Sequence, residues 1–300
     1  MKIYIIGSGG VGGYFGGKLA KAGNDVTFLA RGDHFDAIKA NGLTVKNTDE
    51  DFIIKPAKVI KDVSEISNPD LILFTVKTYD TESISKELVK YVNENTVIIT
   101  FQNGIDNDLK IKDLIKNAQV YPGIAYVVSA KTEPGVISQT GGLKKLVFGD
   151  RESSSNGKLK EIETLIRNAG IDANVTEDIV SDLWKKFIFI NAFSGMTSFY
   201  KQSIGDVLKD EDKLKMYEDC VRESINVAKK LNVKLPETIF EDTMKLSKDT
   251  NPLAKSSLLL DIENNRRNEI DSLNGTLVRL GEENNVEVRV NEKIYKAIKD

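Results

Sequence analysis

The amino-acid sequence predicts an α/β domain built on a mostly parallel sheet, followed by an all-α domain. Three observations lead there. A strand, a glycine-rich turn, a helix and a second strand open the chain; near-continuous apolar runs follow; and after residue 176 the glycine and β texture gives way to long helical patterns. At 300 residues, usual domain sizes favour two domains over one. The boundary falls at 175/176, giving domains 1–175 and 176–300.

The first element, Lys2–Ile6, is a β-branched and aromatic run that reads as a strand. The segment from Gly7 to Gly23 begins with a tight turn and continues as a helix, because Val11, Phe15 and Leu19 recur at i, i+4 and i+8 and Gly23 suits a helix end. Asp25–Ala30 is the next strand. A βαβ unit of this kind has a right-handed crossover and pairs its strands in parallel. Gly7, Gly9 and Gly12 lie on the G-x-G-x-x-G spacing, whose glycines make a tight turn, admit a pyrophosphate to the backbone and let helix and strand pack closely. This is a Rossmann-type turn. Gly7, Ser8, Gly9, Gly10, Val11 and Gly12 are therefore candidate cofactor contacts, with the anion on the N–H groups at the helix start.

At the end of the second strand, where an NAD-binding chain commonly places a carboxylate, stands Arg31. A guanidinium suits a ribose 2′-phosphate, so NADP(H) is expected over NAD(H). His34, just beyond, is expected to face adenosine or solvent. Asp70–Lys77 and Thr96–Phe101 are apolar runs of the kind a strand covered on both faces requires. Both stop at polar residues on the carboxyl edge, where open α/β sheets bind ligands, which makes Lys77 and Asn103 candidate cofactor or substrate contacts. Val120–Val128, Gly135–Gln139 and Lys145–Phe148 read as short β pieces parted by Gly and Pro. Glu152–Gly157 reads as a surface loop and Lys158–Asn168 as a helix.

Helical patterns cover Asp178–Tyr200, Lys213–Leu231, Glu237–Ser247, Leu253–Asn284 and Asn291–Ile298. In the first, Lys186 lies on a stripe with Leu183, Phe187, Ile190 and Phe193 or Ser194. In the fourth, Glu269 falls within a stripe of Ile262, Ile270, Leu273, Leu277 and Leu280. Burying either charge alone is costly, so each needs a partner, a ligand or a wet cleft. An internal Lys–Glu pair, or stems that snorkel to solvent, would satisfy the same pattern.

Composition narrows the function classes. With 42 Lys and Arg against 45 Asp and Glu, the net charge of −3 argues against a nucleic-acid or anionic-membrane coat. The lone Cys220 excludes an internal disulfide framework and a multi-cysteine metal site, and reads as a packing residue. With one histidine no His-rich zinc site is available, so no metal is expected and acid–base work falls to Lys, Glu, Asp or Tyr. No apolar run reaches a membrane span, and the opening residues lack a signal-peptide core; a cytoplasmic protein is expected.

The chain also resembles the ketopantoate reductase (2-dehydropantoate 2-reductase) family along nearly its whole length. The resemblance rests on Gly7–Gly16 with Leu29-Ala30-Arg31-Gly32, Thr75-Val76-Lys77, Gln102-Asn103-Gly104, Leu183–Phe187, Lys255–Asp261 and Asn268–Gly275, in that order. It implies that Lys186 is the catalytic lysine and that Glu269 anchors the substrate. It makes Ser257 a substrate-binding serine, Asn103 and Lys77 residues near nicotinamide and substrate, and Arg31 the 2′-phosphate contact. The implied reaction is NADPH-dependent reduction of 2-dehydropantoate to pantoate, in pantothenate and coenzyme A biosynthesis. One position departs: many members carry asparagine four residues after the lysine, where this chain has Ile190, and Asn191 is rotated by about 100° around the helix. Two other readings stay open, a reductase or dehydrogenase of another small 2-oxo or 3-hydroxy acid and a non-catalytic NADP-binding sensor. Oligomeric state and domain closure are not set by the sequence; a homodimer is one admissible assembly.

Overall fold

The computed structural model describes residues 1–153 and 157–299; Ser154–Asn156, within the expected surface loop, lie outside the described residues, as does Asp300. Two compact units are present: Met1–Gln102 with Asp106–Ile179, and Asn103–Ile105 with Val180–Asp300.

The first unit runs β1 (Lys2–Ile6), α1 (Gly10–Lys21), β2 (Asp25–Leu29), α2 (Gly32–Asn41), β3 (Leu43–Lys46), β4 (Phe52–Ile54), β5 (Lys58–Ile60), β6 (Leu71–Phe74), α3 (Thr81–Leu88), β7 (Val97–Thr100), α4 (Asn107–Leu114), β8 (Gln119–Glu133), β9 (Val136–Phe148), α5 (Gly157–Asn168) and β10 (Asp172–Val175). The second is helical, with α6 (Ile179–Tyr200, which starts at the last residue of the first unit), α7 (Ile204–Lys209), α8 (Glu211–Lys230), α9 (Ile239–Asp249), α10 (Ser257–Glu263), α11 (Asn274–Asn284) and α12 (Arg289–Lys299). An α/β domain with a mostly parallel sheet followed by an all-α region is the fold class the sequence predicts.

Strands β5-β2-β1-β6-β7-β8 are all parallel and form the doubly wound core of the sheet, whose order reverses at β1. Alternation along β1 explains how both faces are filled. Ile3 and Ile5 join one apolar cluster with Phe15, Leu19 and Phe28, whereas Tyr4 and Ile6 join another with Ile72, Phe74, Ile98 and Ile111. Beyond β8 the sheet continues through β9, β3 and β4, with β10 on the far half of β9. Here the structure corrects the sequence reading. The three short β pieces belong to a 15-residue strand and a 13-residue strand paired as one antiparallel hairpin, whose register shifts on either side of the Val128–Gly141 pair.

The edge strands β4 and β5 are separated only by Lys55, Pro56 and Ala57. Four Cα steps span at most about 14 Å, so the sheet must curl until its edges approach. Helix α1 lies inside the curl. A side chain on Gly16 would meet Ile5 at 2.6 Å and Phe28 at 2.8 Å, while on Gly13 it would meet Ile137 at 2.6 Å and on Gly17 Val45 at 2.9 Å. One flank of the helix therefore packs on β1 and β2, the other on β3 and β9, and glycine is needed on both.

In the second unit the expected helix over Leu253–Asn284 is three pieces: α10, a 3-10 turn at Ile270–Ser272, and α11. Asn265 adopts a left-handed conformation with φ 52°, and the Arg266 N–H returns to the Asp261 carbonyl, closing α10 as a helix end. Periodicity ran through this break because Ile262 and Ile270 happened to stay in phase. Glu269 consequently sits in a non-helical segment, not on a helix stripe.

Gly16→Ala should lower stability by about 1–2 kcal/mol, since overpacking of about 1–3 kcal/mol outweighs the helix-propensity gain of up to about 1 kcal/mol. Gly9→Ala, where a side chain would meet nothing within 4 Å, should leave it within about 0.5 kcal/mol. Urea denaturation of both variants measures this; equal midpoints for the two would contradict the enclosure of α1.

Candidate active site

The glycine turn shows a separate physical task at each of its three key positions. Gly7 has φ +103°, and a side chain there would strike the backbone of Val76 at 2.6 Å. Gly12 leaves no room either, because its side chain would run into the Gly7 carbonyl, Thr75 and Ile5. Gly9, by contrast, borders open space. Helix α1 starts at Gly10 with no side chain capping it, which leaves its first N–H groups to an anion. These are the features a pyrophosphate cradle needs, and the turn fits a dinucleotide. Gly10 packs under Ser129 of β8, and Val11 is half-buried.

Neighbouring residues hold the cradle. Thr75 Oγ1 donates to the Gly7 carbonyl at 2.7 Å, tying the end of β6 to the turn after β1 and setting Lys77, half-buried, two residues further on. Ser8 is buried, and its hydroxyl donates to the Leu29 carbonyl at 2.8 Å, so it serves the fold rather than presenting oxygen to a ligand. Arg31 is exposed at the start of α2. His34 differs from expectation: it faces neither solvent nor an open adenosine site but is 7% exposed, with Nε2 2.8 Å from the Ser8 carbonyl and Nδ1 accepting the Gly135 N–H at 2.9 Å. Burial holds its pKa below the usual histidine value. Gln102 of the strand-end motif takes a role that the sequence does not assign: its amide donates to the Val76 carbonyl at 2.9 Å and to Thr81 Oγ1 at 2.8 Å, linking the ends of β6 and β7.

Lys186 of α6 donates from Nζ to Asn103 Oδ1 at 2.9 Å, within the second unit. Beside it Trp184 and Phe187 are buried and packed edge to face, with ring centroids 5.6 Å apart. Burial draws the lysine pKa from 10.5 down to about 8. Nearby on the helix Phe189, Ile190 and Phe193 are half-buried, the two rings stacked at 5.5 Å. Asn191 points elsewhere, fully buried, donating to Asn291 Oδ1 at 2.7 Å. Asn274 donates to the same oxygen at 2.9 Å and Cys220 Sγ at 3.3 Å, while Asn291 Nδ2 donates to Glu223 at 2.7 Å.

Glu269 is half-buried just before the 3-10 turn. Two residues on, Asp271 accepts from Tyr295 Oη at 2.7 Å and from Lys299 Nζ at 2.6 Å, which pins this segment to α12. Ser257 is exposed at the first position of α10. Its neighbour Ser256 caps that helix and accepts from Thr197 of α6 at 2.8 Å, so of the pair Ser256 is tied into the fold while Ser257 stays at the surface. The structure thus gathers Gly7–Gly12 and Lys77 at one sheet edge, with Arg31 at the end of β2, and Lys186 with Asn103 in the helical unit. No helix among the described residues is long and apolar enough to cross a membrane.

Comparison with known proteins extends this geometry. Residues 3–153 match the family model described as ketopantoate reductase PanE/ApbA, and residues 178–300 match the model of its C-terminal region. The 2-dehydropantoate 2-reductase of Pyrococcus horikoshii is 29% identical over 309 residues, covering 100% of this chain and 97% of that protein. The oxidoreductase YkpB of Bacillus subtilis, named as uncharacterized, is 27% identical over 295 residues, covering 98% and 97%. The crystal structure of a PanE/ApbA family ketopantoate reductase from Ralstonia eutropha has a TM-score of 0.93 at 28% identity, covering 100% of this chain and 97% of that one. A ternary structure of D-mandelate dehydrogenase with NADH and anilino(oxo)acetate shares the fold, with a TM-score of 0.90 at 21% identity and coverage of 100% and 97%.

Lys186 couples pH to stability in a defined direction. Its folded pKa of about 8 lies below the unfolded value near 10.4, so between these the unfolded chain binds more protons and stability rises with pH. Relative to Lys186→Met, the parent chain should gain stability from pH 8 to 10. Urea midpoints that run parallel across that window would mean that the ammonium titrates normally.

Proposed function

The chain belongs to the PanE/ApbA ketopantoate reductase family, and from that premise we propose that it reduces 2-dehydropantoate to pantoate with NADPH. That it is an oxidoreductase of this family follows from the match; substrate and cofactor preference are our reading. The observation that carries it is the half-buried Lys186, whose ammonium is held by Asn103 and brought by desolvation to a pKa of about 8.

In this reading residues 1–175 hold the cofactor and residues 176–300 supply the substrate site. Gly7–Gly12 receive the pyrophosphate, Arg31 the 2′-phosphate, and Lys77 and Asn103 the nicotinamide side. The bound nicotinamide supplies the hydride that the ketone carbon accepts. The protein must then stabilise charge growing on the carbonyl oxygen and give that oxygen a proton. Lys186 does both: its ammonium attracts the oxygen, and transfer of one Nζ proton leaves a hydroxyl on the product and a neutral amine that solvent reprotonates. A pKa near 8 keeps about nine-tenths of the lysine charged at pH 7 while making the proton easier to release than from an ordinary lysine. Glu269 accepts a hydrogen bond from the substrate hydroxyl, and Ser257 donates to its carboxylate.

Ile190 favours a second reading. Four residues after Lys186 on α6, it presents a half-buried hydrocarbon where an amide would offer donor and acceptor, which suits a 2-oxo acid with a less polar side group.

Following NADPH oxidation at 340 nm against a panel of 2-oxo acids that includes 2-dehydropantoate separates these readings; a low kcat/KM for that acid beside a high one for another would favour the second. Lys186→Ala should lower kcat by about 100-fold or more with NADPH affinity retained, and unchanged turnover would remove the lysine from the chemistry. Arg31→Ala should narrow the preference for NADPH over NADH; a preserved ratio would assign the phosphate to another residue.

A further inference from the structure

We propose that His34, the single histidine of the chain, is the positioning residue that turns the backbone of the glycine loop toward its anionic ligand. This rests on the reading of that loop as the NADP(H) cradle.

The proton on the ring is assigned by its partners. A backbone N–H can only donate, so Nδ1, which receives the Gly135 N–H at 2.9 Å, carries no proton. The proton is on Nε2 and is donated to the Ser8 carbonyl at 2.8 Å. Both nitrogens of a buried, neutral imidazole are thereby satisfied, and the turn after β1, the first turn of α2 and the turn between β8 and β9 are joined through one side chain.

The consequence follows from peptide planarity. Across the trans Ser8–Gly9 peptide bond the carbonyl and the N–H point in opposite directions. With the Ser8 oxygen held by His34, the Gly9 N–H is directed away from the imidazole, and it has no partner among the described residues. Gly9 also borders open space on the flank a side chain would fill, at φ −75° and ψ −157°. Its carbonyl accepts the Gly13 N–H at 2.7 Å as the first bond of α1. His34 therefore decides which end of one peptide unit faces the ligand. Turned over, that unit would present an oxygen to a phosphate and convert an attractive contact into a repulsive one. Ser8 reinforces the setting from the other side through its hydroxyl bond to Leu29.

The test compares His34→Leu, which removes both bonds, with His34→Gln, whose amide can donate to Ser8 and accept from Gly135. NADPH dissociation constants are measured by fluorescence at a temperature where urea curves show all three chains folded. His34→Leu should weaken binding about 10-fold or more, the loss expected for one charge-assisted hydrogen bond, and His34→Gln should recover most of it. Because there is one histidine, 15N NMR of the ligand-free parent chain reads the tautomer directly, and an Nε2–H ring whose proton resonance shifts on saturation with NADPH is expected. This measurement holds even if His34→Leu does not fold. A parent chain that binds NADPH while His34→Leu binds within twofold, an Nδ1–H tautomer, or an unmoved resonance would overturn the role of His34 alone. A parent chain that binds no NADPH would overturn the cofactor reading itself.

Discussion

The first unit depends on one steric constraint: a helix can be enclosed by a curled sheet only if its opposite flanks are nearly bare. Gly12 and Gly16 allow α1 to meet Ile5 and Phe28, while Gly13 and Gly17 allow it to meet Ile137 and Val45. Glycine in a helix interior costs roughly 0.5–1 kcal/mol relative to alanine, so a helix with this many is stabilised by what surrounds it rather than by its own propensity. Phe15 and Leu19, both buried, supply that burial between the glycines. The same close approach sets the start of the helix against Ser129 of β8 and Thr75 at the end of β6, so the glycine turn at its N-terminus is held between these strands.

The helical unit solves a different problem, the burial of polar groups. Asn291 accepts from Asn191, Asn274 and Cys220 and donates to Glu223, whose carboxylate also accepts the backbone N–H groups of Val290 and Asn291 at the start of α12. Burial raises the pKa of Glu223 despite these donors. The cluster ties α6, which carries Lys186, to α11, α12 and α8, and Asn274 fits against α6 because Gly195 has no side chain to block it. Such a network favours a single arrangement of helices, since a slip would break the bonds gathered on Asn291; Asn191 Oδ1 and Asn274 Oδ1 in the same cluster are buried without a partner among the described residues. Through α12, which also holds Asp271, the helix of Lys186 and the segment of Glu269 share one helical framework.

Features set by neighbours in sequence were legible before the structure. The glycine spacing, the β1–α1–β2 unit, the helices over 178–200 and 213–231 and the inward placement of Lys186 all follow from periods of two or 3.6 residues and from turn chemistry. Features set by distant partners were not. Gly141 and Gly142 within β9 read as a break because nothing local shows that register shifts against β8 absorb the irregularity. Asn264-Asn265 was passed over because the apolar positions on either side remained in phase. His34 reads as facing adenosine or solvent beside Arg31, because its two partners are 26 and 101 residues away.

By itself the sequence determined the opening β1–α1–β2 unit, the change from an α/β to a helical texture, the place of the glycine turn and the residue types available for proton transfer, because these depend on backbone propensity and side-chain chemistry carried within a few residues. Only the tertiary structure decided that the sheet curls around α1, that Lys186 meets Asn103 and loses much of its basicity, and that His34 is buried as a neutral strut. Each of these arises from burial and from contacts across long stretches of chain, and desolvation exists only once the chain has closed around the group.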